Sequence, residues 1–160
     1  MMPATKNIFL KSFFSIFLLS TFFSCVKENK PTGNKDPYEI TSISLSDIGG
    51  HLGSYRIIKV TRDSITAEKG TTSNQIHKKW ASTISPDAWR QLASSIHITD
   101  LDYIKSSPSR QPMDGIDETF QIRTPKKSHI YVNAYADTVH YQQLQQLKEQ
   151  LNNILPEEYK

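Results

Sequence analysis

A second cysteine is missing from this sequence. Cys25 stands alone, so no disulfide can close within the chain. A long apolar run is missing as well. The uncharged stretch Ser12–Ser24 falls short of the roughly 20 residues a helix needs to cross a bilayer. There is no strong excess of one charge. Lys6 and Lys11 are two of the 19 basic residues, so the part from Cys25 onward holds 17 basic against 16 acidic residues, a net of +1. That balance gives no footprint for nucleic acid. The familiar catalytic and metal motifs are absent too. His51, His77, His97, His129 and His140 stand in no His-Glu-x-x-His pattern and beside no cysteine at zinc-ligand spacing. There is no Gly-x-Ser-x-Gly elbow. The sequence therefore calls for no cofactor and no metal, and nothing in it promotes a Ser-His-Asp triad.

What the first residues do contain is ordered. A positive start with Lys6 and Lys11 leads into an apolar core of five Phe, two Leu and an Ile, and small Ser24 closes it. Those are the parts of an export signal. The run ends in Phe22-Phe23-Ser24-Cys25. This resembles the box of a bacterial lipoprotein signal, in which a small residue precedes a cysteine. Ser24 and Cys25 match it, and bulky Phe23 departs from it. The resemblance implies that residues 1–24 are a removable signal and that Cys25 becomes a lipidated first residue. Two or three acyl chains hold firmly where one does not, at about 0.8 kcal/mol per buried methylene. The competing reading is an uncut anchor with an ordinary cysteine. Residues 25–37 then read as a flexible tether of Lys, Asn, Pro, Gly and Thr. Lys27-Glu28 is similar to the short sorting signal of outer-membrane lipoproteins, which points to a lipid-anchored place in the bacterial envelope with the periplasmic and surface faces both open. The alternative is a charged, solvated linker.

Residues 38–160 read as a single domain. Alternating or β-branched runs at "YEITSISLS", "SYRIIKVTR", "ITAEKG" and "QIHKKWASTI" predict four strands in an antiparallel meander. "SPDAWRQLASSI" predicts a helix, with Ser85 as cap, Pro86 in the first turn and an apolar stripe of Trp89, Leu92, Ala93 and Ile96. A loop follows, with a helical turn near Asp100 to Lys105. "IDETFQIRT" and "HIYVNAY" predict a hairpin, and a final helix spans Thr138 to Leu155 with Leu144, Leu147, Leu151 and Ile154 inward. That stripe is too short for a coiled coil. The order ββββ-α-ββ-α predicts an α+β two-layer sandwich: a mainly antiparallel sheet of about six strands with two helices on one face.

Few residues suggest chemistry. "GGHLGS" precedes a strand, not a helix, so it reads as a turn and not as a phosphate loop. In "MDGIDE", Asp114, Asp117 and Glu118 do not follow the calcium-loop pattern, and Asp114-Gly115 reads as a turn. Alternation in "HIYVNAY" sets Ile130, Val132 and Ala134 on one face and His129, Tyr131, Asn133 and Tyr135 on the other. Two readings of the second set stand: an exposed aromatic binding face, or cross-strand packing within the hairpin.

"ISLSDIGGHLGSYRIIKV", "SPDAWRQL" and "DGIDETFQI" followed by a closing helix resemble the emfourin type of small protease-inhibitor domain, and related lipoprotein domains. The resemblance implies a non-enzymatic module that binds an exported protease or another envelope protein. The other classes to weigh are an accessory subunit of an envelope complex and a hydrolase with a site assembled from scattered residues.

Overall fold

The computed structural model describes residues 36–160. Cys25, the signal reading for 1–24 and the tether up to residue 35 lie outside them. The described chain forms β1 (Ser42–Gly49), β2 (Ser54–Thr61), β3 (Ser64–Thr71), β4 (Ile76–Thr83), α1 (Pro86–Ser94), β5 (Ile116–Arg123), β6 (Ser128–Val132) and α2 (Gln142–Asn153). Two turns of 3-10 helix lie at Ile98–Tyr103, and single 3-10 turns at Gln111–Met113, Ala134–Ala136 and Glu157–Tyr159. The strands make one six-stranded antiparallel sheet in the order β4-β3-β2-β1-β5-β6. This is the α+β architecture that the pattern of strands and helices predicts.

Period-two alternation accounts for the layering. Residues directly opposite one another share a face. One row crosses the whole sheet as Trp80, Ala67, Ile58, Leu45, Phe120 and Tyr131. The next runs Ile65, Val60, Ile43, Ile122 and His129. Trp89 and Leu92 of α1 and Leu144, Leu147 and Leu151 of α2 join these rows in a single core. Both helices thus cover the same face. α1 starts as its sequence dictates: the Ser85 hydroxyl accepts from the Ala88 N–H at 3.1 Å, and Pro86 fills the first turn. The opposite face is mostly polar, with Ser42, Ser44 and Ser46 down β1 and Thr61, Lys59, Thr119, Gln121 and Arg123 on the strands beside it.

β6 decides between the two readings of its alternation: His129 and Tyr131 pack across the hairpin opposite Ile122 and Phe120, and the exposed-aromatic reading falls for both. His129 and Tyr131 are buried, and Ile130 is 54% exposed. Alternation within β6 is ambiguous, because either set of residues can be the inner one. Pairing decides. The Thr124 N–H bonds to the Lys127 carbonyl at 2.9 Å across the turn, which sets Tyr131 opposite Phe120 and His129 opposite Ile122. Phe120 and Ile122 face the core, so their partners must. The buried polar tips find partners: the Tyr131 hydroxyl donates to the Leu101 carbonyl, and His129 Nδ1 lies 3.3 Å from that hydroxyl. Ala134 is buried as well, but from the 3-10 turn beyond left-handed Asn133, which ends the strand.

α2 is also shorter than its periodicity suggests. Residues 137–141 form a capped turn before it. Asp137 Oδ1 accepts from the Val139 and His140 N–H groups at 3.1 Å each, and Oδ2 accepts from Lys105 N at 3.1 Å.

The register of β6 yields a direct test. Tyr131→Ala is expected to cost about 3–5 kcal/mol, as for other large buried aromatics, and Ile130→Ala less than about 0.5 kcal/mol. Urea unfolding of the full chain reads both, and the reverse ranking would contradict the pairing.

Candidate binding surface

The chain enters the sheet at one pole, where the Thr41 N–H bonds to the Arg123 carbonyl at 2.7 Å and Lys126 lies over the Tyr38 ring. The unusual backbone gathers at the other. Gly49, Gly50, Gly53, Gln75, Asp114 and Asn133 all have positive φ, and all sit where β1, β3 and β6 end and β2, β4 and β5 begin. Left-handed non-glycine residues carry a cost and persist where surrounding structure holds them. Here two turns hold each other. The Gly50 N–H bonds to the Gly115 carbonyl at 3.0 Å, and Gln111 Nε2 donates to the Ile48 carbonyl at 3.2 Å. A Cβ at Gly49 would lie 2.2 Å from the Gly115 oxygen, so glycine is required for the approach.

Asp117 is the clamp behind these turns. Its carboxylate accepts from the Ser109 hydroxyl at 2.5 Å, the Arg110 N–H at 2.7 Å and Asn133 Nδ2 at 2.7 Å. Asn133 in turn accepts from the Glu118 N–H at 3.0 Å and donates to the Pro108 carbonyl at 3.1 Å. The Arg110 backbone bond, with Ser109 and Asn133 assisting, holds the Asp117 carboxyl below its ordinary range, against the opposing effect of burial. The segment 108–115 is therefore pinned to the sheet by a carboxylate that stays ionised.

Beyond the apolar rows, the helix-side face turns charged. Lys78, Lys69, Arg56, Asp47 and Glu118 form the next row across the strands. Arg56 donates to Asp47 Oδ2 at 2.9 and 2.7 Å and to Asn152 Oδ1 at 3.1 Å. Glu118 accepts from the Tyr141 hydroxyl at 2.8 Å and pairs with Lys148. Lys78 pairs with Glu158, and Lys69 donates to the Glu158 carbonyl. A basin of about 420 Å³ opens at the end of this row, walled by Arg56, Lys69, Lys78, Thr71, Ile76 and Ile116. Exposed apolar side chains occur on both sides of this pole: Ile76 and Ile116 line the basin on the helix-side face, Ile48 points to the opposite face, and Leu52 and, at 79% exposure, Met113 lie in the adjoining turns. Exposed apolar groups gathered in one place mark an interaction site more often than scattered ones do.

The candidates raised by the sequence do not converge. His129 and Tyr131 lie in the core. Tyr135 is exposed, and its hydroxyl accepts from Arg110 Nη1 at 3.3 Å beside the pole. Cys25 lies outside the described residues. Asp117 and Glu118 are neighbours on β5, so they point to opposite sides of it and form no acid–base pair. Burial, followed by the charge of Lys127, lowers the affinity of His129 for a proton, against a weaker pull from Asp102. His140 stacks on Tyr103 and faces Asp137. Among the described residues, no three His, Cys, Asp or Glu side chains are grouped to hold a metal ion. The pole itself escaped the sequence reading. The signal that could have found it is Ile48, an apolar residue out of step with the polar face of β1 at a strand end beside the Gly-Gly turn, with exposed Ile116 beside the Asp-Gly turn. No protein-family model and no curated protein matches the chain.

The clamp predicts a pH-dependent stability term. Because the folded carboxyl binds its proton more weakly than the unfolded one, Asp117 stabilises fully above the ordinary carboxylate range. That contribution is lost as the pH falls below about 4. Asp117→Asn is expected to cost about 1–3 kcal/mol at neutral pH, with the gap to the unsubstituted protein narrowing in acid. Denaturation curves across pH measure this, and a gap that is constant with pH would contradict it.

Proposed function

We propose that the protein is a lipid-anchored lipoprotein of the bacterial envelope that acts as a non-enzymatic binding module for another exported protein. Cys25 carries the acyl chains, the tether follows it, and the pole of 49–53, 72–75 and 110–116 receives the partner. The observation that carries this reading is that one pole exposes Ile48, Leu52, Ile76, Met113 and Ile116, with Ile76 and Ile116 walling one basin, on backbone held by left-handed residues. Such a surface loses little freedom on binding, which is the main saving available to an interface. A binding role is supported over hydrolysis because Asp117 and Glu118, the buried carboxylates, are each engaged by several donors of the fold itself.

The emfourin-like motifs favour an exported protease as the partner. Loops that enter a protease cleft as substrate mimics are extended, and residues 111–113 are wound into a 3-10 turn. Inhibition by this pole would therefore work by occluding the protease, not by imitating its substrate. An accessory role in an envelope complex would use the same surface.

Photo-crosslinking in the native envelope tests the reading. A crosslinker at Met113 is expected to trap one discrete protein, and one at Arg62 on the opposite pole is expected to trap none. Cys25→Ser should release the protein from the membrane and abolish the capture. Equal capture from both positions, or from neither, would overturn the proposal.

A further inference from the structure

We infer that β4 is a docking edge, which takes up an extended acidic segment of the bound protein as an added strand. The inference rests on the binding role proposed above and names how the partner attaches. The two edges of the sheet differ. At β6, the Ser107 N–H bonds to the Val132 carbonyl at 2.8 Å and the Val132 N–H to the Ser106 hydroxyl at 3.0 Å, so a crossing segment covers the end of that edge. At β4 all eight residues are exposed except half-buried Trp80, and no described residue bonds to the outer side.

The outward groups can be named. The Ile84 N–H bonds to the Asp63 carbonyl at 3.4 Å, and bonded and unbonded pairs alternate along an antiparallel ladder. Lys78, Trp80 and Ser82 therefore turn their backbone groups to β3. His77, Lys79, Ala81 and Thr83 turn theirs outward. An exposed edge of this length is a template for strand addition.

Side chains select the segment. Lys78 and Lys79 lie side by side and point to opposite faces, so an added strand meets one ammonium on each face. Their present partners, Glu158 and Glu68, are exposed or half-exposed, and such pairs are held weakly. Acidic residues opposite both lysines can replace them. Apolar residues opposite Trp80 and Ile76 would cover the open sides of those two. A second copy of this chain is a poor occupant, because two-fold pairing of β4 with itself crowds two Lys78–Lys79 pairs into one short ladder.

The blocked peptide Thr-Thr-Val-Glu-Glu-Thr-Val is a suitable probe, run antiparallel from Ser82 to Ile76, with the full chain in detergent and amide NMR as readout. Added peptide is expected to shift the His77, Lys79, Ala81 and Thr83 amides and slow their exchange. Reversing Lys78→Glu and Lys79→Glu together should weaken binding about tenfold or more, since two favourable cross-strand pairs become repulsive. A peptide with Lys-Lys in place of Glu-Glu should restore it. Ala81→Pro removes an outward donor and no ladder bond, so binding should weaken while the melting temperature holds. No change at these amides, or equal binding to the doubly reversed protein, would overturn the inference. So would slowed exchange that appears on raising the protein concentration alone, which would mark a second copy as the occupant. If crosslinking from Met113 survives unchanged in Ala81→Pro, the edge fails and the binding role stands.

Discussion

Everything in this fold depends on keeping one alternation in phase across six strands. Rows of side chains run unbroken from Trp80 to Tyr131 and from Ile65 to His129, and two short helices close over them. With no disulfide available in the chain, that single layer of packing is the fold's main source of stability, and a slip of one residue in any strand would turn its apolar set to water. β1 is the strand on which this rests, because it pairs along its full length with β2 and with β5. The β1–β5 pairing joins segments far apart in sequence, with α1 and the long loop between them.

The same phase determines where chemistry can sit. Helix cover ends before the sheet does, so the row beyond the core is charged and must be satisfied by α2 and the C-terminal turn. Beyond that row the strands give way to turns that lean on one another. Asp117 is the means by which a long connection is tied to a strand end: one carboxylate replaces many weak contacts with three strong ones. The result is a pole that is stiff, apolar at its surface and basic at its rim. Those properties suit recognition of another macromolecule.

Much of the fold was legible in the sequence. Ser85-Pro86-Asp87 announces α1, and the Leu144, Leu147, Leu151 spacing announces α2, because capping and helical period are local properties. The facing of β6 was not legible, since it depends on pairing with β5 and on a turn whose hydrogen bonds no local pattern encodes. The binding pole was legible only in fragments. Gly49-Gly50 and Asp114-Gly115 read as separate turns, and their mutual approach through the Gly115 carbonyl is a tertiary fact. Asp117 looked like part of an acidic cluster, yet adjacent strand residues diverge, so it acts alone. The proposed membrane anchor rests on the sequence alone, in the run that ends at Cys25.

The central claim is that the sheet is covered on one face and at the end of its β6 edge, leaving β4 as its longest open margin. Amide hydrogen exchange on the free full-length protein tests it most directly. Exchange should alternate along β4, slow at Lys78, Trp80 and Ser82 and fast at His77, Lys79, Ala81 and Thr83. Uniform protection along the strand would show the margin to be covered and would contradict the account.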